Sequence, residues 1–355
     1  MKVGPYIVPL LIFIGGTLKA PCQSASGRIN SYFSITTVNT LTNSLMLDNA
    51  TGLTSGQRVL IIQSKGVTIG STNDASFGDI TATGSAGNYE FNTICSVDGN
   101  QVWLKGPFVN AYDPAGQLQL VAVPVYQSVT LAATVSGSPW DPVAGTGGIV
   151  AIEATDTIYL NADVDVSGLG FQGGALVNYP SPSYDCSWAV TVDNYYLPFP
   201  VSGDYTGGKK GEGVAAYILN EEYGRGKLAN GGGGGNNANT GGAGGGQYGA
   251  GGNGGQRAGE SFFDCHGAYP GIGGLSLASY GYTSSLNRIF LGGGGGSGHE
   301  NNGVGLPGGN GGGIIILSAS VIVGGGGSLL ANGLSPVNAA NTDPTQAAAV
   351  APEAR

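Results

Sequence analysis

The chain has 355 residues, of which 68 are glycine and only 10% are charged, and its formal net charge is −9. A negative charge of this size argues against nucleic acid and anionic surfaces as partners. The length is sufficient for two domains or for one long β-solenoid.

The N-terminus has the pattern of a secretory signal peptide. Lys2 precedes an apolar run from residue 3 to 16, which is too short to span a bilayer and is followed by small residues. Cleavage after Ser24 fits best, so residues 1–24 are assigned to the signal peptide and we expect a secreted protein, extracellular or on the outer cell surface. Loss of Lys2 and Lys19 makes the net charge −11. Since no later stretch has 18 consecutive apolar residues, we expect no membrane insertion after signal cleavage.

Residues 29–130 contain short apolar runs separated by turn residues, the pattern of a β-rich domain. Asp98-Gly99-Asn100 is typical of a hairpin turn, and the apolar run 118–125 predicts a strand buried on both faces. The predicted strands are 33–38, 44–48, 58–63, 89–97, 101–105 and 117–126.

Two segments of related sequence predict coils of a parallel β-solenoid. Each begins with Gly-Gly-Ile, at residues 147 and 312, and continues as a strand, a break, a second strand and a small-Gly-Leu turn. Such units place alternate side chains in a narrow core and must stack on one another to bury it. We predict solenoid-like strands in residues 131–175 and 313–334. Their mutual contacts are expected from Ile149, Ile152, Ile158, Ile314, Ile316 and Val323.

Residues 176–312 are a glycine-rich region bordered by tyrosines, and its stretch 231–255 is so rich in glycine that it is unsuited to either a helix or an ordinary strand. Glycines 246, 249, 252 and 255 recur at every third residue, which is the repeat of a left-handed polyproline-II-type helix. Collagen would also need proline, which is absent from 201 to 269. We predict a bundle of extended polyglycine-II-type helices held by backbone hydrogen bonds. The alternative is a flexible linker.

The predicted fold class is all-β. A β-rich N-terminal domain is followed by β-solenoid-like strands that flank the polyglycine-II-type bundle. One brief helix is expected at residues 214–222. Residues 335–355, rich in Ala, Pro and Thr, predict a disordered or truncated tail.

Three cysteines remain after signal cleavage. Cys186 and Cys265 each follow an aromatic residue and an aspartate, and they flank the glycine-rich core. Because an exported chain meets oxidising conditions, we predict a disulfide between them. Cys95 lies in an alternating strand pattern and is expected to be a buried free thiol.

No catalytic or metal-binding constellation is visible in the sequence. His266 and His299 lack a metal-ligand pattern, and no G-x-S-x-G elbow is present. We therefore expect no catalytic residues, no metal, no cofactor and a protein that is not an enzyme. The groups that a solenoid enzyme could recruit are Glu153, Asp163, Asp165 and Arg288.

Aromatic residues are dense between 176 and 228, and exposed aromatic side chains can stack on sugars. Alternatively they cover the glycine bundle, which has no side chains with which to build a core. The predicted binding surface consists of Tyr184, Trp188, Tyr195, Tyr196, Asn236, Asn237 and Asn253.

Three stretches of the chain resemble a known group of proteins. They are residues 207–255, which open with Gly-Gly-Lys-Lys-Gly-Glu-Gly, and the later residues 287–303 and 307–317. They are similar to the N-terminal part of secreted surface proteins of gliding Bacteroidetes, over roughly residues 55 to 333. The resemblance implies a large adhesin that the type IX secretion system carries across the outer membrane, and it supplies no catalytic residues. Such proteins usually end in a C-terminal sorting domain, whereas this sequence stops at Arg355 without one, which leaves its export route open.

The sequence therefore predicts a secreted cell-surface or matrix protein with an adhesive or structural role through a glycine-rich β scaffold. Its partner would be a polysaccharide or another surface ligand, with self-association as a further option. The alternatives are a β-solenoid enzyme that acts on polysaccharide and an ice-binding protein.

Overall fold

The computed structural model describes residues 23–177, 194–197, 207–236, 240–256, 269–283, 286–299 and 305–336. Within these ranges the helical structure is one 3₁₀ turn, η1 (Pro114–Gly116), and one α-helical turn, α1 (Ala278–Gly281). The prediction of an all-β fold is confirmed. The brief helix expected at 214–222 is wrong, because the chain turns there and Asn220 has a φ of +66°. No helix in the described ranges is both long and apolar enough to cross a bilayer.

The N-terminal part is a closed antiparallel barrel of six strands, with a separate two-stranded ribbon. In chain order the strands are β1 (Gln23–Arg28), β2 (Ser31–Asn39), β3 (Ser44–Leu47), β4 (Arg58–Gln63), β5 (Thr68–Ile69), β6 (Ile80–Ala82), β7 (Tyr89–Asp98), β8 (Gln101–Leu104) and β9 (Leu118–Val123). The order around the barrel is β2-β3-β8-β7-β4-β9, and β5 and β6 form the ribbon.

Strand β4 is buried on both faces, as is its neighbour β9. Val59 and Ile61 point into the barrel core, whereas Leu60 and Ile62 point outward into a second core. That second core also contains residues of the glycine-rich region, such as Leu291. The period-2 alternation of one strand thus joins the barrel to the rest of the molecule.

Cys95 is exposed, which corrects the expectation of a buried thiol. On β7 the buried residues are Glu90, Asn92 and Ile94, which alternate along the strand, so Cys95 lies on the opposite face and is exposed to solvent. A β-bulge between Ile94 and Ser96 also interrupts the pairing with β8. The thiol is free within the part of the chain that the structure describes.

The C-terminal part is dominated by a sheet of parallel strands. In chain order the remaining strands are β10 (Val125–Ser136), β11 (Ile149–Leu160), β12 (Val164–Asp165), β13 (Tyr282–Thr283), β14 (Leu286–Asn287), β15 (Ile314–Ser318), β16 (Val321–Gly324) and β17 (Leu329–Leu330). Of these, β13 and β14 form a small antiparallel ribbon.

The two repeated segments lie side by side in the parallel sheet. β11 pairs with β15 from Ile149 opposite Ile314, and with β16 through Ile158 opposite Ile322. β10 covers the other side of β11, and β1 in turn pairs with β10. The strands therefore stack as successive rungs, as the repeat predicts. Because β1 begins at Gln23, the predicted cleavage after Ser24 would remove two residues of this strand.

The glycine runs lie side by side and are joined by backbone hydrogen bonds at intervals of three residues. Gly241 and Gly244 donate to Gly255 and Gly252, and the same three-residue step joins residues 208 and 211 to 235 and 232. It recurs where residues 292 and 295 meet 312 and 309. Three residues is the repeat of a polyproline-II-type helix, the conformation that the sequence predicts for these runs.

Close packing of these runs depends on the missing side chains. A Cβ atom added to Gly234, Gly294 or Gly311 would lie 2.0 Å from a backbone carbonyl oxygen of the neighbouring run. By contrast, Gly249 and Gly252 have open space where a Cβ would be. Glycines that recur at every third residue in the sequence are therefore not always the ones that pack closely.

A Cβ introduced into this packed region is expected to destabilise the protein, and one introduced at its edge is not. Gly294→Ala should lower the free energy of unfolding by at least about 2 kcal/mol, because Gln172 O would have to move. Gly252→Ala is the matched control. It should change the free energy of unfolding by less than about 1 kcal/mol, because a Cβ at this position meets no neighbouring atom and alanine restricts the unfolded chain more than glycine does. Chemical denaturation of both variants provides the measurement, and equal losses would contradict the packing described.

His299 should make the stability depend on pH. Burial lowers the pKa of His299 to about 4, from the usual 6.5. Between these values the unfolded chain binds a proton that the folded chain does not, so stability is full above pH 6.5 and falls as the pH drops to about 4. The expected loss is roughly 3 kcal/mol. Denaturation of wild type and His299→Asn at pH 7 and pH 4.5 should show a steeper loss in the wild type, and parallel losses would refute it.

Candidate functional site

A pocket of about 440 Å³ opens where the barrel meets the glycine-rich region. Its walls come from the loop after β4, the turn before β9, the turn at Pro142 and residues 212–217. The polar groups of the wall are Lys65, Asp113, Gln117, Glu212 and Tyr217. Segments far apart in sequence thus bring two carboxylates, an ammonium group, an amide and a phenol to one cavity.

Gln63, the last residue of β4, fixes two of these segments. It is fully buried, its Nε2 donates to Lys65 O at 2.8 Å, and its Oε1 accepts from Asp113 N at 2.8 Å. Gly116 packs directly against it, since a Cβ there would lie 2.1 Å from the Gln63 Nε2. The backbone positions of Lys65 and Asp113 are therefore set by one amide side chain.

Glu212 is the centre of the buried part of the site. Its Oε1 is paired with the ammonium group of Lys65. Its Oε2 accepts from Trp140 Nε1 at 3.0 Å and from Gln172 N at 3.1 Å. Because both side chains of the ion pair are at most 8% exposed, this charge pair is held with little help from water.

The ammonium group of Lys65 also lies near two aromatic rings. Its Nζ is 5.4 Å from the ring centroid of Phe171 and 6.0 Å from that of Tyr217, both within cation–π range. Burial lowers the pKa of Lys65, and the charge of Glu212 acts in the opposite direction. The pocket therefore holds a partly desolvated cation whose charge depends on one carboxylate.

Asp113 and Tyr217 are the other two chemical groups of the wall. Asp113 is exposed, and its Oδ1 accepts from Ala115 N at 3.0 Å, capping the 3₁₀ turn η1. The hydroxyl of Tyr217 donates to Lys210 O at 2.8 Å, and burial raises the pKa of Tyr217, so the phenol remains protonated. Asp113 is thus the accessible carboxylate of the pocket and Glu212 the buried one.

The predicted tyrosines at 195 and 196 lie outside this pocket. The backbone N–H groups of both donate to Asn73 Oδ1, at 2.7 and 3.2 Å. The ring of Tyr195 lies against Arg225 and that of Tyr196 against Phe77. Both are half-buried, so they cover the glycine-rich region as the alternative interpretation of the aromatic residues proposed.

The other residues of the predicted surface are dispersed. Asn236 is 2% exposed and its Nδ2 donates to Asn194 O at 2.7 Å, so it is buried rather than presented to a ligand. Asn253 is exposed and its Oδ1 accepts from Gly273 N. Three residues of the predicted surface, Tyr184, Trp188 and Asn237, lie outside the described residues. The cysteines of the predicted disulfide, Cys186 and Cys265, lie outside them as well.

The residues suggested for a solenoid enzyme form no common site. Glu153 pairs with Arg58 at 2.8 Å, and Arg288 donates to Ala86 O at 2.8 Å. Asp165 accepts the backbone N–H of Ser167 in a turn, and Asp163 accepts that of Ser328 on a neighbouring segment. No group of three metal-ligating side chains occurs among the residues that the structure describes.

Comparisons with known proteins give only partial structural likenesses. No family model and no curated protein matches the chain. It is similar to the Gp54 tailspike of Acinetobacter baumannii bacteriophage AP22, solved in complex with A. baumannii capsular saccharide. The sequence identity is 14% and the TM-score is 0.22, and the match covers 38% of this chain and 21% of the tailspike. It is also similar to the tailspike protein gp49 of Pseudomonas phage LKA1, with 17% identity, a TM-score of 0.21, and coverage of 40% and 23%. The chain thus spans less than a quarter of either tailspike.

The expectation that the protein is not an enzyme is corrected. Both of these solved structures are phage tailspikes, one of them in complex with a capsular saccharide. The sequence argument against an enzyme relied on the lack of a local motif. In the structure, Lys65 and Glu212 pair across 147 positions of sequence, and such a site has no local spacing that could reveal it.

Breaking the buried ion pair should be more harmful than removing it. Glu212→Gln leaves the Lys65 ammonium buried without a counter-charge, and should cost about 3–5 kcal/mol of unfolding free energy. The double variant Lys65→Met, Glu212→Gln should recover much of that loss, because no buried charge remains. Urea denaturation of wild type, both single variants and the double variant measures the coupling. Strictly additive losses would show that the two groups do not act as a pair.

Proposed function

We propose that the protein binds a polysaccharide outside the cell and acts on it in the pocket between the barrel and the glycine-rich region. The observation that carries the proposal is the convergence of Asp113, Glu212, Lys65 and Tyr217 on one cavity. Most glycosidases use a pair of carboxyl groups on either side of the scissile bond. The alternative of a solenoid enzyme acting on polysaccharide is thus favoured over a purely adhesive role.

The environments of the two carboxylates suit different tasks. Glu212 accepts hydrogen bonds from Lys65, Trp140 and the backbone of Gln172, so both of its carboxylate oxygens are held in place. An ionised carboxylate can stabilise positive charge at the anomeric carbon or assist an attacking water. Asp113 is exposed at the pocket wall and is assigned the transfer of a proton to the leaving oxygen.

The proposed reaction is hydrolysis of a glycosidic bond. The bond between the anomeric carbon and the bridging oxygen breaks, and the bridging oxygen takes a proton from the Asp113 carboxyl. Water adds its oxygen to the anomeric carbon and gives up a proton, which returns the carboxyl groups to their starting state.

The charge of the pocket favours a neutral polysaccharide. Lys65 and Glu212 offset each other in charge, and Asp113 adds a negative charge whenever it has given up its proton. The whole chain carries −9, so a polyanionic chain would be repelled both locally and at long range. Tyr217 and Gln117 supply polar groups that can orient sugar hydroxyls.

Export and surface location are part of the proposal. They are supported by the signal-peptide pattern of residues 1–24 and by the resemblance to secreted Bacteroidetes surface proteins. A protein that holds polysaccharide in this pocket would also attach to surfaces that carry it, so the adhesive role expected from the sequence would be a consequence of binding.

The proposal predicts that Asp113→Asn abolishes turnover while retaining the fold. The purified protein is incubated with a panel of neutral plant and bacterial polysaccharides, with release of reducing ends and affinity electrophoresis as the two measurements. Loss of the proton donor should lower the hydrolysis rate at least about 100-fold and change binding by less than about tenfold. Asp98→Asn, at the exposed end of β7, makes the same charge change away from the pocket and should retain wild-type rates.

Three results would count against the proposal. The first is no binding and no reducing ends with any polysaccharide of the panel. The second is turnover that survives in Asp113→Asn at the wild-type rate. The third is equal loss in the Asp98→Asn control, which would show that the effect comes from net charge rather than from the pocket.

A further inference from the structure

Columns of apolar side chains run through the parallel sheet and stop abruptly at its last rung. One column passes from Val129 on β10 to Ile158 on β11 and Ile322 on β16. The first two residues of this column are completely buried, whereas Ile322 is 50% exposed. The core of the stacked strands is therefore open at this end.

A second column behaves in the same way. It passes from Val135 on β10 to Val164 on β12 and Leu329 on β17, and only the last residue is exposed, at 53%. We call β15, β16 and β17 the terminal rung. Val321 and Val323 on β16 are also 50% and 39% exposed, so apolar side chains on this rung face solvent.

The backbone of the terminal rung is open along one edge. β15 and β16 pair with β11 on one side, β17 pairs with β12, and within the described residues none of the three has a strand on its other side. Natural sheets protect such edges with lysine, other charged residues, proline or a bulge. Residues 311–335 contain no charged residue and no proline, so the usual protection is missing.

The sequence that follows is poorly suited to cover this edge. Residues 337–355 contain no isoleucine, leucine or aromatic residue, and they include two prolines. A further rung would need apolar side chains at alternate positions to continue the columns. The composition of residues 337–355 therefore does not predict another rung.

A second copy of the chain meets the requirement. Two chains with a net charge of −9 repel one another, and the uncharged terminal rung is a face on which they can approach without bringing like charges together. A two-fold axis places the same patch on both sides, so that the interrupted columns of one protomer meet those of its partner. Antiparallel pairing across the axis would also satisfy the open backbone groups.

We propose that two copies of this chain form a dimer through their terminal rungs, with β16 of one protomer antiparallel to β16 of its partner. The paired edges make one sheet that continues across the dimer. This inference does not depend on the activity of the pocket, because none of the residues that line the pocket belongs to the terminal rung.

The test is the mass of the purified full chain in solution, by light scattering coupled to gel filtration and by sedimentation equilibrium. The wild type should be a dimer. Ile322→Lys places two ammonium groups across the two-fold axis and should weaken dimerisation at least about 100-fold. Val143→Lys is the matched control, since Val143 is an apolar residue that is 94% exposed outside the terminal rung, and it should remain dimeric.

The fold of each variant is checked by circular dichroism and by resistance to protease, and Val321→Lys serves as a second edge variant. A wild type that is monomeric at all concentrations would overturn the proposal, as would dimers that persist in both lysine variants of β16. A wild-type monomer that dimerises only after deletion of residues 337–355 would show that this segment occupies the rung, which also overturns it.

Discussion

Peptide N–H groups of one glycine run donate to carbonyl oxygens of the next, and these bonds form only because no Cβ atom separates the two backbones. The candidate site is built on this contact. Glu212 O accepts from Gly294 N at 2.9 Å, and a Cβ on Gly211 would lie 2.0 Å from Gly294 O. The backbone that carries the buried carboxylate is therefore one member of the packed runs. Its distance from Lys65, on the barrel side, depends on how closely those runs approach.

Lysine side chains take the place of the core side chains that the glycine runs lack. Lys210 is completely buried, its Nζ donates to the carbonyl oxygens of Tyr195, Gly224 and Gly226, and it lies 4.7 Å from the ring centroid of Phe77. Lys227 pairs with Asp79 at 2.8 Å. Together with the pair of Lys65 and Glu212, these ammonium groups connect the glycine-rich region to neighbouring segments. Long side chains with one charged end can reach carbonyl oxygens that a short apolar side chain could not satisfy.

Local pattern was sufficient to predict most of the strands. Strand 58–63 has the same bounds in sequence and structure, and the turn at Gly99 has the positive φ that its composition implies. The pairing of the repeated segments also follows from their shared Gly-Gly-Ile opening. These features depend on neighbours in sequence or on a visible repeat, which is why they could be predicted.

The pocket and the packed glycine positions could not be predicted in this way. Lys65 and Glu212 meet only because the barrel and the glycine runs share one core, and no spacing encodes that contact. Among glycines, composition cannot distinguish Gly252, beside open space, from Gly254, whose added Cβ would lie 2.1 Å from Gly241 O. The orientation of Cys95 was misjudged because Phe91 and Ile94 are both apolar but lie on opposite faces of β7, so alternation alone does not tell which face is buried.

The scarcity of side chains in the glycine runs also sets how this region responds to temperature. Unfolding it exposes mainly peptide groups, and newly hydrated polar surface lowers the heat capacity, whereas apolar surface raises it. The heat-capacity change per residue should therefore be smaller for this region than for the barrel, whose core is aliphatic. A smaller heat-capacity change flattens the stability curve, so the glycine runs should lose little of their stability on cooling, when hydrophobic cores weaken.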